Sequence, residues 1–313
     1  VELRKINAPG NGGKDAKYGP KQGPVTSAYL KEALEKGKKE FEWDKRSKYS
    51  GKRVGNKVKA IGVGQAYHTA GYNGFDGLCR ITPDGILHIH TGVGNLGTFS
   101  YASTSRVCAE VLGYDWERCV IERGGTRKHI PFNIGQFGSN TTFTMSRTNY
   151  AAGMAAKELL LEIAAKSLGG KSEDYKLENE SVVSISNGSN KISFADCAKK
   201  AIEMGGKYSG METPEDINPF TKSAVGGIKG TGLVGVAKDK IPKTAAVPAL
   251  SASFIEIELD LETGKYQILD YLGVADCGTV MHPTGLAAQI RGGAVMGFGL
   301  AATERHVYDP AYG

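Results

Sequence analysis

Residues 86–113, ILHIHTGVGNLGTFSYASTSRVCAEVLG, set a strand pattern, a glycine loop and a helix pattern end to end. Gly92-Val93-Gly94-Asn95-Leu96-Gly97 has the G-x-G-x-x-G spelling. In a doubly wound sheet such a loop brings backbone N–H groups and a helix N-terminus to a pyrophosphate, and the strand before it is buried, parallel and continuously apolar. Here the strand is ILHIH, with His88 and His90 on one face, and it leaves Thr82-Pro83-Asp84-Gly85, a turn with Pro second and Gly fourth. It therefore reads as the second arm of a hairpin. Glu122 closes CVIE, where a ribose-binding acid would lie, but no further βαβ pattern follows. This context disfavours an NAD(P)-dependent dehydrogenase built on Gly92–Gly97.

The other patterns agree with a mixed architecture. Thr26 or Ser27 is placed to cap a helix carrying Leu30, Ala33, Leu34 and Phe41, and strands are expected near 57–67 and 76–81. A helix over 100–112 ends at Gly113, and a longer one over 145–168 ends at Gly169-Gly170. Asn187-Gly188 joins two short strands, and Ser193 with Asp196 forms a capping-box pattern before Cys197, Ala201 and Ile202. Residues 8–24 read as a loop and residues 205–249, polar and rich in Gly, Pro and Lys, as a long surface excursion. Ile255, Ile257 and Leu259 alternate with Glu256 and Glu258, ETGK turns, and YQILDYLGVAD returns; a helix near 285–303 follows. Hairpins interleaved with helices define an α+β fold.

Several function classes are excluded on composition. The net charge of +6 is modest for 313 residues and the basic runs contain acids, as in KGKKEFEWDKRSKYSGKR, so nucleic acid is not an expected partner. No run of about 18 apolar residues exists to form a membrane span. Cys79, Cys108, Cys119, Cys197 and Cys277 are scattered without a C-x-x-C, which argues against a disulfide framework, an iron–sulfur cluster or structural zinc and fits a reducing cytoplasm. Cys108 and Cys119 read as small core residues. His88-x-His90 lacks a third ligand and reads as two polar residues on the wet face of a hairpin, with Leu87 and Ile89 facing the core. The chain does not begin with Met and reads as a segment of a longer polypeptide.

Three segments carry the binding chemistry. GQFGSNTTFTMSRTNYAAG (135–153) is a glycine–hydroxyl loop opening into a helix, and DCGTVMHPTGLAAQIRGGAVMGFGLAATE (276–304) pairs a strand-end Asp with a glycine-studded helix carrying Gln289. The loop at 92–99 is the third. Such loops present N–H groups at helix N-termini, while Thr98, Ser139, Asn140 and Gln289 add directional hydrogen bonds without charge. Together they suit a large, polar, anionic cofactor held along its length.

From Glu2 to its end the chain resembles the molybdopterin-binding large subunit of the xanthine dehydrogenase/aldehyde oxidase family of molybdenum hydroxylases. VELRKIN is similar to the family's E-L-R-x-K-N segment, TGVGNLGTFSYASTSRVCAEVLG to its G-x-x-E-x-G-Q-G loop and helix, and GQFGSNTTFT to its A-G-S-x-S/T-T loop. DCGTVMHPTGLAAQIRGGAVMGFGLAATE is similar to its D-x-G-x-x-x-N-P-x-x-x-x-x-Q-x-x-G-G-x-x-Q-G-x-G segment. The resemblance implies a lead-in over residues 1–56 with one helix and a cofactor-binding domain over 57–313, with antiparallel and mixed sheets packed with helices. It implies a molybdenum-pyranopterin cofactor, as molybdopterin or its cytosine dinucleotide form, contacted by Leu96, Gly97, Thr98, Phe99, Gly138, Ser139, Asn140, Thr141 and Gln289.

The implied activity is oxidative hydroxylation of an aldehyde, N-heterocycle or related substrate with water-derived oxygen. The implied partners are an iron–sulfur subunit or domain, an FAD subunit or domain and the remainder of the molybdenum subunit, in a dimer of the complex. The family's glutamate base is expected beyond Gly313, so this chain supplies no catalytic residue and is expected to be inactive alone. Among the departures from the pattern, Thr98 replaces the Gln of G-Q-G, Asn95 replaces a Glu, and His282 stands where Asn is common before Pro283. A non-catalytic relative that has lost the cofactor is the reading these departures keep open.

Overall fold

The computed structural model describes residues 1–9 and 25–313, so most of the loop expected over 8–24 lies outside the described residues. In chain order the elements are α1 (Glu2–Ile6), α2 (Leu30–Glu40), α3 (Trp43–Arg46), β1 (Arg53–Val54), β2 (Lys57–Thr69), β3 (Asp76–Ile81), β4 (Leu87–His90), α4 (Ser100–Leu112), β5 (Cys119–Glu122) and α5 (Thr141–Leu168). They continue with β6 (Tyr175–Glu178), β7 (Ser181–Ser184), β8 (Lys191–Ser193), α6 (Phe194–Met204), α7 (Pro219–Ile228), β9 (Leu233–Lys238), β10 (Pro248–Asp260), β11 (Tyr266–Asp276) and α8 (Pro283–Ala302). Two compact units divide the chain, one of residues 1–70 with 244–313 and one of residues 71–243. The lead-in expected to end at residue 56 is not separate: its helix shares a core with β10.

In the first unit an antiparallel sheet runs in the order β1-β2-β10-β11. Leu30 and Leu34 of α2, with Phe41, pack against Leu250, Ala252 and Phe254. The inward face of β10 is thus Leu250, Ala252, Phe254 and Glu256, and the alternating Ile255, Ile257 and Leu259 lie half-buried on the other face. The buried Glu256 carboxylate is compensated by Arg46 Nη1 at 2.7 Å and the Tyr49 hydroxyl at 3.0 Å. Neither Thr26 nor Ser27 caps α2. Thr26 N–H donates to Ala246 O across a bridge from Val25 to Ala246, which keeps this segment extended, and the helix begins at Leu30. The ETGK turn forms around Asp260, whose carboxylate accepts from Glu262 and Thr263 N–H. α8 rests on β11 through Tyr271 and Phe298, edge-on at 5.2 Å.

In the second unit a mixed sheet runs β5-β4-β3-β9. β3 pairs antiparallel with β4 and β9, whereas β4 pairs parallel with β5, with α4 as the crossover. One βαβ unit therefore exists, but its first strand has four residues and is the return arm of a hairpin. Cys79, Ile81, Leu87 and Ile89 face α4, α5 and α6 in the main core. Leu78, Val234 and Val236 face Val225 and Ile228 of α7 on the opposite side. An antiparallel meander β6-β7-β8 packs Tyr175, Val182 and Ile192 into the main core. As expected, Gly113 ends α4 at φ +67, and Ser193 Oγ accepts from Asp196 N–H at the start of α6.

The surface excursion expected over 205–249 is corrected. Asn218 caps α7 by accepting from Phe220 N–H, Pro219 fills its first turn, and Leu233-Val234-Gly235-Val236 is a buried strand. Lysines and glycines at the ends of these elements masked a short apolar run of the kind a doubly covered strand requires.

Candidate cofactor site

Within the second unit, α4 and α5 each begin at a glycine loop. In the first loop Asn95 Oδ1 accepts from Gly97 N–H (3.0 Å) and Phe99 N–H (3.1 Å), folding the turn onto its own side chain. Phe99 is the N-cap residue of α4 at φ +53 and makes no side-chain cap, while Thr98 Oγ1 accepts from Ser100 N–H at 3.4 Å. Leu96 and Phe99 are exposed and Thr98 is half-buried.

In the second loop Gly138 and Ser139 take φ +58 and +54, turning the chain into α5 four residues earlier than the sequence pattern placed it. Asn140 is a favoured capping type at the N-cap position, yet its side chain makes no cap. Its Oδ1 accepts from Tyr72 N–H and the Thr144 hydroxyl, and its Nδ2 donates to Gly135 O. The Asn140 side chain is thus spent inside the protein. The first-turn N–H groups of Thr141, Thr142 and Phe143 have no acceptor among the described residues.

Gln136 joins the two loops. Its Oε1 accepts from Leu96 N–H at 2.7 Å, and its Nε2 lies 3.3 Å from Thr98 Oγ1 and 3.0 Å from Ser100 Oγ. Sequence reasoning passed over Gln136, although it lies inside the quoted loop, because no spacing rule marks a bond spanning 40 residues.

These loops fit an anionic, acceptor-rich group. Neither helix carries an acid in its first turn, and neither N-cap residue, Phe99 or Asn140, caps its helix with its side chain. Lys243 adds positive charge beside α5, its Nζ bonded to Gly71 O and 5.7 Å from the Phe143 ring centroid. At the roots of the loops, Thr91 Oγ1 and Asn133 Oδ1 are buried without a partner among the described residues. Gln289, in the other unit, is exposed on α8 and its side chain makes no hydrogen bond among the described residues.

Other candidates are structural. Gly92 does not open the backbone to a pyrophosphate, because a Cβ there would lie 2.2 Å from Pro131 O. Glu122 is engaged by His88 Nδ1 (3.0 Å) and Lys128 Nζ (2.7 Å). No group of three or more His, Cys, Asp or Glu among the described residues could hold a metal. All five cysteines are free; burial pushes the Cys119 thiol up to about 12, and the Cys79 thiol and burial raise Cys108. A cavity of about 300 Å³ lies between β3, β9 and α7, lined by Phe75, Asp76, Phe132, Asp216 and Lys238, and contains none of the expected cofactor residues.

His90 corrects the expectation of two histidines on a wet face. It is buried, with Nδ1 against Lys128 O at 3.0 Å. Burial, aided by the Arg80 charge, pushes its pKa down to about 4, while Lys128 O and Glu122 oppose the shift. The folded chain keeps His90 neutral where the unfolded chain, at about 6.5, takes up a proton. Stability should hold above pH 6.5 and fall by roughly 2–3 kcal/mol as the pH drops towards 4. Denaturant midpoints measured across this window should show that slope, and His90→Asn, which can still donate to Lys128 O, should flatten it.

The two glycine loops opening into α4 and α5 belong to an α+β domain whose family is known. Residues 36–313 match the family model for the molybdopterin cofactor-binding domain. The chain belongs to that family. It is 25% identical over 322 residues to the xanthine dehydrogenase molybdenum-binding subunit of Escherichia coli O157:H7, covering 100% of this chain and 39% of that protein. It is 25% identical to the nicotine 6-hydroxylase large subunit of Paenarthrobacter nicotinovorans, over 74% of this chain and 26% of that protein.

Among solved structures, CO dehydrogenase from Oligotropha carboxidovorans superposes with a TM-score of 0.70 at 20% identity, covering 91% of this chain and 35% of that one. Quinoline 2-oxidoreductase from Pseudomonas putida 86 gives 0.69 at 20% identity, covering 92% and 36%. These likenesses confirm the α+β fold. The chain spans about two-fifths or less of the length of these relatives.

Proposed function

We propose that this chain forms part of the cofactor cradle of a molybdenum hydroxylase, with the 95–100 and 135–141 loops binding one flank of a pyranopterin. The observation that carries this reading is the pair of helix starts whose N-cap side chains make no cap, held together by Gln136. Leu96, Gly97, Thr98 and Phe99 would contribute from the first loop, and Gly138, Ser139 and Thr141 from the second. Asn140 would act by shaping the turn, since its side chain is already bonded. Gln289 is proposed as a further amide contact on the family resemblance alone.

When bound, the molybdenum-pyranopterin group supplies the redox chemistry, and the protein supplies binding and orientation. No helix among the described residues is long and apolar enough to cross a membrane. We propose a cytoplasmic assembly in which iron–sulfur and FAD domains or subunits carry electrons away, since this chain has no cysteine cluster for such a centre. The substrate would be an aldehyde, an N-heterocycle or a related compound.

Metal and pterin analysis of the full-length protein tests the reading. About one molybdenum per subunit with releasable pterin is the expected result, given a polar ligand held at many points. Absence of both from protein produced with an intact cofactor supply would favour the non-catalytic relative.

A further inference from the structure

Thr98 stands where the family pattern has a glutamine, and the second loop carries a glutamine at 136. The two protons of Gln136 Nε2 are directed to two hydroxyl oxygens, Thr98 Oγ1 and Ser100 Oγ. Those oxygens lie 2.9 Å apart and share one proton between them. Two hydroxyls have two protons, so one O–H of the pair remains without an acceptor among the described residues. Ser100 N–H also points to Thr98 Oγ1, at 3.4 Å. The pair is therefore oriented entirely by donors from the protein and is left a net donor itself.

We propose that Gln136 is a positioning residue for the cofactor: it locks the 95–100 loop through Leu96 N–H and aligns the Thr98–Ser100 pair so that its remaining O–H meets an acceptor oxygen of the bound pyranopterin. This rests on the function proposed above. The carboxamide lost at position 98 is supplied from the other loop, where it acts through the hydroxyl pair.

The test uses the full-length protein with Gln136→Met and Gln136→Glu, reading amide exchange of the peptide containing Leu96 and pterin retention after dialysis. Gln136→Met keeps the side-chain length but none of the three bonds; exchange should quicken and retention should fall, each about ten-fold. In Gln136→Glu the carboxylate still accepts from Leu96 N–H but takes up both hydroxyl protons. Exchange should then stay slow while retention falls by a similar factor, a split that general loosening of the loop would not produce. Wild-type protein devoid of pterin would overturn the proposed function and this inference with it. Wild-type protein loaded with pterin, alongside variants that retain it equally well, would overturn the role of Gln136 alone.

Discussion

Gly77→Val should destabilise the unit of residues 71–243 by on the order of 4 kcal/mol, a large share of what holds a domain folded. A Cβ at Gly77 would lie 1.9 Å from Thr148 O and 3.0 Å from Ala152 Cβ. The first of these is helix backbone and cannot move without moving α5. On the adjacent strand Gly235 is also close, its Cβ falling 2.7 Å from Ala156 Cβ and 2.8 Å from Ala152 O. β3 and β9 thus let α5 lie on the sheet at backbone distance, with Ala152 and Ala156 as its contact face.

Because α5 begins at the 135–141 loop, lifting it should disturb the loop as well, and lost stability and lost pterin should appear together. Urea unfolding of the variant checks the first, with Gly226→Ala as control. A Cβ at Gly226 meets nothing within 4 Å on the exposed face of α7, and alanine there should stabilise by about 0.5–1 kcal/mol. A Gly77→Val midpoint equal to wild type would show that α5 does not sit this close.

This packing marks the limit of what the sequence makes legible. The α4 segment, the Gly113 stop, the 187–188 hairpin and the Ser193 cap follow from periodicity and turn chemistry within a dozen residues and reach the structure intact, as does α5 apart from its first four residues. Long-range choices do not show. β9 was hidden because its run Leu233–Val236 is short and flanked by glycine and lysine, and only the cover of α5 on one face and α7 on the other makes it a strand. His88 and His90 look alike in sequence, yet one pairs with Glu122 and the other is enclosed beneath Lys128 O.

Both candidate loops were legible as glycine–hydroxyl segments before helices. What holds them together was not, since Gln136 acts on residues about 40 positions away, as the 2.7 Å bond from Leu96 N–H shows. Asn140 illustrates the converse. Its type and place in the loop imply a ligand contact, and Tyr72 N–H, with Thr144 one turn on, claims the side-chain oxygen instead.

Ser139→Pro should sharply reduce cofactor occupancy of the full-length protein while leaving its fold in place. Ser139 holds φ +54, directly after Gly138 at +58. Proline is fixed near −65° and cannot follow that path into α5, and it also deletes an N–H that has no acceptor among the described residues. The residue is exposed, and the apolar face of α5 begins only at Met145, so the core has no direct stake in it. The consequence should be confined to the mouth of the helix, where the free N–H groups of the first turn would no longer converge on one ligand. Losing one such bond and misaligning its neighbours should weaken pterin retention by at least about ten-fold, the direct cost of an unmade bond to a charged acceptor.

Ser139→Gly separates backbone from side chain. Glycine adopts positive φ freely, relieving about 1 kcal/mol of strain, and keeps the N–H while losing the hydroxyl. If the backbone donors do the binding, Ser139→Gly should retain pterin within a few-fold of wild type. If the hydroxyl carries the contact, glycine should lose pterin as badly as proline. Equal occupancy in wild type and Ser139→Pro, with melting curves matched, would remove the 135–141 loop from the cofactor site altogether.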